Sequence, residues 1–356
     1  MDLTAIGWGP RFSEAFAPYA AKGLVPARVA LEHTHIYRVL SADGEWLARV
    51  SGRLRHAADR RADFPAVGDW VAVEPPAPDG DARILAVLPR FSRFSRRAAG
   101  DPTEEQIVAA NIDTVFLVSG LDLDFNPRRI ERYLVVAWES GATPVVVLNK
   151  ADLVEAPDRF VEEVRRLAPA VAVHAVSCRS VETLAPLHEY LRSGRTAALL
   201  GSSGVGKSTI VNQLIGREVL RTREVREWDN RGRHTSTARQ LVMLPEGGVL
   251  IDTPGMRELQ LWETGEALTG AFADVDALAA GCRFRDCRHD NEPGCAVRAA
   301  AEAGELAPER LESYRKLRDE QEYQARQQDQ RAQIEQKRLS RVGSKALRKR
   351  IKEKDA

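Results

Sequence analysis

Short runs of apolar and β-branched residues near the start of the chain predict a small β-barrel. Five such runs lie between about residues 25 and 89, and Ser41-Ala42-Asp43-Gly44 is a hairpin-turn signal between the second and third runs. Five short strands in a segment of this length are typical of an OB-type barrel, a fold that often binds oligonucleotides. The predicted strands are Ala27–Leu31, His35–Leu40, Trp46–Val50, Asp69–Val73 and Arg83–Val87.

Two groups of arginines accompany the predicted barrel. The first group lies between the third and fourth strands, and the second alternates with Phe91 and Phe94 just after the last strand. Arginine interleaved with aromatic residues suits RNA phosphates and base stacking. A solvated loop and a plain surface linker are equally compatible with these segments. The arginines are Arg53, Arg55, Arg60 and Arg61 in the first group, and Arg90, Arg93, Arg96 and Arg97 in the second.

From residue 111 the pattern changes to apolar strands that alternate with helices, which predicts an α/β domain. Thr114–Val118 and Pro144–Leu148 are uninterrupted apolar runs, as expected of strands that are buried on both faces. Pro127–Ser140 has the apolar spacing of an amphipathic helix. Further strands are predicted at Val171–Val176, Thr196–Leu200, Gln240–Leu244 and Gly248–Ile251, and further helices through Phe160–Leu167, Val181–Leu191 and Ser208–Leu214.

A glycine-rich segment between a predicted strand and a predicted helix carries the clearest chemistry. Gly201-Ser202-Ser203-Gly204-Val205-Gly206-Lys207-Ser208-Thr209 fits the pattern G-x-x-x-x-G-K-[ST]. In such a loop the glycines let the backbone approach a nucleotide, and the unpaired N–H groups at the helix start bind its phosphates. Lys207 is expected to reach the β- and γ-phosphates, and Ser208 to hold Mg²⁺.

A second motif, Asn149-Lys150-Ala151-Asp152, follows the buried strand Pro144–Leu148. Ligands of open α/β sheets bind at this end of the strands. A carboxylate such as that of Asp152 accepts two hydrogen bonds from guanine N1–H and the exocyclic amino group, which adenine does not offer. Asn149 is expected to brace the phosphate loop, and Lys150 to lie along the purine. In Ser177-Cys178, at the next strand end, we expect the Ser177 N–H to meet guanine O6.

The segment 221–239 is long, polar and without a hydrophobic period, as expected of a mobile switch loop. It contains Gly232-Arg233-His234-Thr235-Ser236-Thr237, and one of its hydroxyl groups is expected to meet Mg²⁺ and the γ-phosphate. Asp252-Thr253-Pro254-Gly255 ends the following strand pair. Asp252 is expected to hold the water shell of Mg²⁺, and the Gly255 N–H to contact the γ-phosphate.

Composition narrows the class of protein. A chain of 356 residues with 44% hydrophobic and 29% charged residues predicts two or three globular domains. No apolar run approaches the roughly 18 residues of a membrane span, and the first twenty residues lack a signal-peptide pattern. Four cysteines are too few for a disulfide scaffold. These features predict a cytoplasmic protein.

Three of the cysteines cluster with a histidine in the pattern Cys282-x₄-Cys287-x-His289-x₅-Cys295. Three thiolates and one imidazole at this spacing match a closed, tetrahedral structural zinc site. The alternative is a set of buried thiols beside a surface histidine. Arg283, Arg285, Arg288 and Arg298 surround the cluster, which suggests a zinc knuckle that also contacts RNA.

The chain is predicted to be helical and highly charged from Glu305 onward. Leu306, Leu311, Tyr314 and Leu317 are expected to pack on the zinc module. Between residues 337 and 354, nine lysines and arginines face a single acidic residue, Glu353. Such a tail is disordered or a phosphate-binding arm, and a simple solubility tail is the alternative.

The nucleotide motifs form a complete guanine-nucleotide set in an unusual order. Ordinary small GTPases place the phosphate loop first and the Asn-Lys-x-Asp motif later, whereas here Asn149–Asp152 and Ser177 precede the phosphate loop. The chain therefore resembles the circularly permuted GTPases, and among them the ribosome small-subunit-dependent GTPase A family (RsgA/YjeQ type). Gly232-Arg233-His234-Thr235 and the C-terminal cysteines also fit that family. Ser236 stands where a threonine is usual, so the Mg²⁺ ligand is open between Thr235 and Ser236.

The resemblance implies a GTP phosphohydrolase that uses Mg²⁺, carries one structural Zn²⁺, and acts on the small ribosomal subunit and its rRNA during late assembly. It also implies a monomer that does not bind membranes. The alternatives are a P-loop kinase, which has no use for Asn149–Asp152, and an RNA-binding module with a vestigial nucleotide site. The expected domains are a 1–24 extension, a 25–98 barrel, a 99–265 permuted GTPase domain, a 266–320 zinc-binding α-helical module and a 321–356 tail.

At one position the sequence departs from the usual GTPase pattern in a way that bears on hydrolysis. The position that often carries the water-orienting glutamine, directly after Asp-x-x-Gly, is occupied by Met256. A thioether neither accepts a proton nor orients water, so slow hydrolysis with the small subunit as activator is expected. His234 is the catalytic candidate in the chain, and a contact with the subunit is its alternative role.

Overall fold

The computed structural model describes residues 1–33, 36–78, 80–98, 101–122, 124–216, 239–245, 247–252, 266–323 and 325–326. The described strands are β1 Val25–His33, β2 Ile36–Ser41, β3 Gly44–Val50, β4 Trp70–Glu74, β5 Ala82–Val87, β6 Arg93–Ala98, β7 Asp101–Ala110, β8 Thr114–Gly120, β9 Thr143–Asn149, β10 Ala172–Ala175, β11 Thr196–Gly201, β12 Arg239–Met243 and β13 Val249–Asp252.

Of the described α-helices, the first two lie against the barrel, the next four pack on the two faces of the α/β sheet, and the last four form the C-terminal module. They are α1 Pro10–Ala20, α2 Gly52–Ala57, α3 Pro127–Ser140, α4 Pro157–Leu167, α5 Ala185–His188, α6 Lys207–Ile215, α7 Glu266–Ala271, α8 Ala273–Ala279, α9 Ala296–Glu302 and α10, residues 308–323. None of the helices in the described part of the chain is long and apolar enough to cross a membrane.

The first five strands form the predicted barrel. They follow each other in the order β1-β2-β3-β5-β4, and β4 pairs again with β1, which closes the sheet on itself. The strands alternate inward and outward side chains, and Val29, Val39 and Ile84 fill the interior. The predictions of five strands and of an OB-type barrel are therefore confirmed.

The barrel and the α/β domain share one continuous sheet of eleven strands. The α/β half of this sheet runs β10-β9-β8-β11-β13-β12, and these strands are parallel except for β12. Strand β12 also pairs with β1 of the barrel, at Leu31 with Gln240 and Glu32 with Arg239. All residues of β8 and β11 are buried, as their uninterrupted apolar runs predict.

The predicted single helix over about residues 181–191 is wrong. The segment consists of a 3₁₀ turn at Val181–Leu184, the one-turn helix α5 and a second 3₁₀ turn at Glu189–Leu191. Pro186 explains the break, because proline has no N–H to donate and crowds the preceding turn of a longer helix.

A buried arginine joins the barrel to its neighbours. Arg28 of β1 is 1% exposed, and its guanidinium donates to the carbonyl oxygens of Ile6, Gly68 (3.2 Å) and Asn111 (3.1 Å). These carbonyls belong to the N-terminal extension, the barrel and the start of the α/β domain. Burial lowers the pKa of Arg28 to about 10, and the group remains charged at neutral pH.

The N-terminal extension contains a helix that the sequence pattern did not reveal. Phe12 and Phe16 of α1 are buried against the barrel, and Trp8 meets Trp70 edge to face at 4.7 Å between ring centroids. Apolar aromatic burial therefore anchors this segment to the barrel.

The second arginine group does not form a free connector. Its residues lie largely in β6, which pairs with β7 in a separate two-stranded sheet. Arg90 forms a bidentate ion pair with the buried carboxylate of Asp69, at 2.8 and 2.7 Å, and Phe94 is 1% exposed. Arg90 and Phe94 are thus structural, whereas an RNA contact was one of the two expectations.

The C-terminal helices are attached to the α/β domain by a buried ionic network. Glu131 of α3 is fully buried and accepts hydrogen bonds from Arg310 Nη1 (2.7 Å) and Ser313 Oγ (2.6 Å) of α10. The same arginine contacts Asp274 of α8 at 2.6 Å and lies 4.5 Å above the ring of Phe272. The predicted packing of Leu306, Leu311, Tyr314 and Leu317 on the module is also observed.

We predict that Arg310→Ala destabilises this part of the molecule by on the order of 3 kcal/mol, because the buried Glu131 carboxylate loses one buried cation and is left with the partly exposed Arg128 at 2.8 Å. Chemical unfolding of the full chain measures the effect. Lys316→Ala on the same helix is the matched control, because its ion pair with Glu312 is solvent-exposed. Equal unfolding midpoints for the two variants would contradict the prediction.

Candidate functional site

Four loops meet at the carboxyl edge of the parallel strands. Strands β10, β9, β8 and β11 are direct neighbours, and each ends in a segment that carries polar side chains. The loops begin after Ala175, Asn149, Gly120 and Gly201 respectively. This edge is where open α/β sheets bind their ligands, so the permuted chain order still brings the predicted nucleotide motifs together.

The phosphate loop is closely fitted to the base-recognition loop. Gly206 has φ +97°, and a Cβ at this position would lie 2.3 Å from Asn149 Nδ2. Asn149 Nδ2 donates to the Val205 carbonyl oxygen at 2.7 Å, which is the bracing contact expected of this side chain. Only glycine combines this backbone conformation with so close an approach.

Lys207 begins helix α6 and is held by the loop itself. Its Nζ donates to the carbonyl oxygens of Gly201 (2.8 Å) and Ser202 (2.5 Å). The ammonium group therefore lies inside the curve of the loop, on the side where the loop N–H groups and the helix start favour an anion. This arrangement suits the β- and γ-phosphates of a nucleotide.

Asp152 lies at the base-recognition edge with its carboxylate oriented by two neighbours. Ser177 Oγ donates to Asp152 Oδ1 at 2.6 Å, and Arg179 Nη1 lies 3.4 Å from Oδ2. Lys150, two residues earlier, has φ +64°, an uncommon conformation for a residue with a side chain. Such backbone strain is typical of binding loops that the surrounding structure holds in place.

The structure gives the Ser177 backbone N–H a different role from the expected contact with guanine O6. Its N–H donates to Thr183 Oγ1 at 2.8 Å and is therefore not directed to a base. Within the described ranges no partner accepts the next N–H, that of Cys178. The carbonyl oxygen of Cys178 lies 3.5 Å from Gln213 Nε2, and its Sγ lies 3.6 Å from Asn149 Oδ1. Burial raises the pKa of the Cys178 thiol, so it is protonated at neutral pH.

Sequence reasoning missed two carboxylates in the loop after β8. Asp122 binds Lys150 Nζ, and Asp124 accepts from Ser202 Oγ at 2.8 and 2.7 Å. Burial opposes ionisation of Asp122, but the hydrogen bonds from Lys150 and from the Asp124 N–H outweigh it and lower its pKa. The signal was present, because Asp122-Leu123-Asp124 directly follows the carboxyl end of a buried strand.

Several predicted residues lie outside the described ranges. These are His234, Thr235, Ser236 and Gly255. Of Asp252 the structure describes the backbone, which ends β13 next to β11 and so at the edge that carries Gly201.

The four predicted metal ligands come together in the C-terminal module. The Sγ atoms of Cys282, Cys287 and Cys295 and a ring nitrogen of His289 all lie within 4.8 Å of one another. The Cys282 Sγ–Cys295 Sγ distance is 3.9 Å, and His289 Nδ1 lies 3.6 and 3.5 Å from these two sulfurs. The cluster can therefore hold one metal ion.

These distances fit a tetrahedral site. In a tetrahedral Zn²⁺ site the sulfur ligands lie about 2.3 Å and the nitrogen ligand about 2.0 Å from the metal. Two such sulfurs are then roughly 3.8 Å apart, and a sulfur and the nitrogen are roughly 3.5 Å apart. His289 has φ +61°, and its carbonyl oxygen accepts from Arg315. Burial and the nearby Arg318 lower the pKa of His289, which favours the neutral imidazole that binds metals.

The arginines around the cluster fall into two kinds. Arg288 pairs with Glu322 at 2.8 Å, and Arg298 pairs with Glu302 at 3.2 Å, so both are engaged within the module. Arg283 and Arg285 are exposed and flank Phe284, which is 40% exposed. The Arg283 guanidinium carbon lies 5.5 Å from the centroid of the Phe284 ring. The exposed tip of the module is thus basic and aromatic.

The phosphate loop and the preceding Asn-Lys-x-Asp loop on one parallel sheet define a circularly permuted GTPase. The sequence model of the RsgA GTPase family matches residues 87–262. The chain is 51% identical to the small ribosomal subunit biogenesis GTPase RsgA of Opitutus terrae over 341 residues, which cover 92% of each chain. It belongs to the RsgA GTPase family.

Solved structures agree with this assignment. YjeQ from Thermotoga maritima matches with a TM-score of 0.63 and 29% identity, over 84% of this chain and 98% of that chain. YloQ, described as a circularly permuted GTPase, matches the fold with a TM-score of 0.60 and 23% identity, over 84% of this chain and 95% of that chain. The predictions of a permuted GTPase and of GTP hydrolysis are thus confirmed.

Proposed function

We propose that this GTPase acts in the late maturation of the small ribosomal subunit and hydrolyses GTP when it is bound to that subunit. The observation that carries the proposal is the 51% identity, over 92% of the chain, to a relative named as a small ribosomal subunit biogenesis GTPase. The close fit of Asn149 to Val205 supports it, because it gives the chain a preformed nucleotide site.

Guanine recognition is assigned to the loops after β9 and β10. Asp152 accepts from guanine N1–H and the exocyclic amino group, and the Cys178 N–H donates to guanine O6. Ser177 acts through Asp152, whose carboxylate it orients at 2.6 Å. Lys150 covers the purine, with Ala151 completing the loop.

Phosphate binding is assigned to the loop from Gly201 to Thr209. Lys207 would contact the β- and γ-phosphates, and Ser208 would hold Mg²⁺ together with Thr235 or Ser236. Bound Mg²⁺ would neutralise charge on the phosphates during transfer. Asp252 and Gly255 would report the presence of the γ-phosphate from the neighbouring strand end.

Hydrolysis needs a group that orients the attacking water. Met256 stands where many GTPases have glutamine, so this chain is slow by itself, and His234 is the candidate that the bound subunit brings into place. Loss of the γ-phosphate would then release the protein from the subunit through an order–disorder change in the switch segments.

Two exposed basic surfaces are the proposed rRNA contacts. One is the Arg283–Phe284–Arg285 tip of the metal-binding module. The other is the α2 region of the barrel, where Arg53 and Arg55 are exposed. Arginine with an exposed ring suits RNA phosphates and unstacked bases.

The metal is proposed to be Zn²⁺, because three thiolates and one imidazole at tetrahedral distances form a closed structural site. The working form is proposed to be a cytoplasmic monomer. In support of a monomer, one chain supplies all four metal ligands and both loops of the proposed nucleotide site.

Single-turnover GTP hydrolysis tests the proposed activation. We expect purified small ribosomal subunits to accelerate the native protein by on the order of a hundredfold or more, as activators do when they complete a phosphoryl-transfer site. His234→Ala should lose most of this acceleration. No acceleration of the native protein would contradict the proposed activation, and equal acceleration of both proteins would remove His234 as the catalytic group.

Metal analysis tests the zinc assignment. We expect one zinc ion per chain in protein purified without oxygen, and its loss in Cys282→Ser, whereas Cys178→Ser should retain it. Chelation should loosen the C-terminal module, since binding free energy at such sites is partly folding free energy, while GDP binding persists. Native protein without stoichiometric zinc would refute the assignment.

A further inference from the structure

A carboxylate outside the known nucleotide motifs accepts a hydrogen bond from the phosphate loop. Asp124, in the loop between β8 and α3, accepts from Ser202 Oγ with both of its oxygens, at 2.8 and 2.7 Å. Arg129 of α3 holds the carboxylate at 2.8 Å and also donates to the Asp124 carbonyl oxygen. Only 23% of the Asp124 side chain is exposed. The loop is thereby connected to helix α3.

Ser202 is the point at which this support reaches the ammonium group of Lys207. Its side chain binds Asp124, while its carbonyl oxygen accepts from Lys207 Nζ at 2.5 Å. Asn149 braces the other end of the loop at Val205, and Ser203 and Gly204 between these points are exposed. A shift of Ser202 would therefore move the lysine relative to a bound γ-phosphate.

The negative charge of Asp124 is unexpected at a site that is proposed to bind phosphates. A carboxylate close to a triphosphate site repels the substrate, so by simple electrostatics it opposes nucleotide binding. Arg129 offsets this charge, and the Ser202 hydroxyl uses it as a hydrogen-bond acceptor. Hydrogen bonds to charged acceptors are stronger than those to neutral ones and fix geometry more firmly.

We propose that Asp124 is a positioning residue of the GTPase site: it fixes Ser202, and through Ser202 the place of the Lys207 ammonium group. The proposal rests on the GTP hydrolysis described above. Because Lys207 is expected to contact the γ-phosphate, loss of Asp124 should weaken GTP binding and GTP hydrolysis more than it weakens GDP binding.

Asp122 provides a matched control in the same loop. Its carboxylate binds Lys150, on the base side of the site, and not the phosphate loop. Asp122→Ala should weaken the binding of GDP and of a non-hydrolysable GTP analogue to the same extent. Asp124→Ala should instead weaken the binding of the GTP analogue more than the binding of GDP.

The main experiment is a double-mutant cycle of Asp124→Ala and Ser202→Ala, measured by single-turnover hydrolysis with saturating small subunits. Asp124→Ala should slow hydrolysis about tenfold, the loss of one charge-assisted hydrogen bond, and should have little further effect when Ser202→Ala is already present. Asp124→Asn keeps an acceptor oxygen for Ser202 without the charge, so it should stay within about threefold of the native rate.

Three results would overturn the positioning role. The first is a native hydrolysis rate in Asp124→Ala, and the second is that Asp124→Ala slows hydrolysis equally in the native protein and in Ser202→Ala. The third is an Asp124→Asn variant that hydrolyses GTP as slowly as Asp124→Ala. The affinity ratio of the GTP analogue to GDP needs no subunit. It therefore tests Asp124 even if subunits fail to activate the native protein, an outcome that would count against the proposed function alone.

Discussion

The hydrogen bond from Asn149 Nδ2 to the Val205 carbonyl oxygen is the contact on which the proposed nucleotide site depends. It joins the base-recognition loop to the phosphate loop, and it is possible only because Gly206 has no side chain. The two loops lie 56 positions apart in the chain, yet their geometry is fixed to within a hydrogen bond. Base and phosphate recognition therefore share one rigid frame.

This frame explains why the permuted order of motifs is tolerated. Strands β9, β8, β11 and β13 are neighbours in a parallel sheet, so their carboxyl ends meet whichever comes first in the chain. The permutation places the barrel before the sheet and the metal-binding module after it. Arg28 and the Glu131–Arg310 pair then attach these two parts to the GTPase domain through buried charges. Buried polar contacts of this kind require their partners and so fix the geometry of each junction.

Much of the fold followed from local patterns, and the remainder depends on contacts between distant residues. The five barrel strands, helix α3 and the phosphate loop carry their signals within a few consecutive residues. By contrast, the sequence leaves Arg90 open between an RNA contact and a surface linker, and only the fold brings it to its partner Asp69, 21 positions earlier. The Cys178 N–H likewise becomes a candidate only because the fold directs the Ser177 N–H to Thr183. Pro186 outweighed the helical period around it.

The central claim is that the permuted chain assembles one guanine-specific site, and calorimetric binding of GDP, ADP and xanthosine diphosphate tests it most directly. The native protein should prefer GDP to ADP by about a thousandfold or more, because adenine leaves the Asp152 carboxylate unpaired. Asp152→Asn should lose GDP affinity and gain affinity for xanthosine diphosphate, whose C2 oxygen matches an amide donor. Equal binding of ADP and GDP by the native protein would contradict the account.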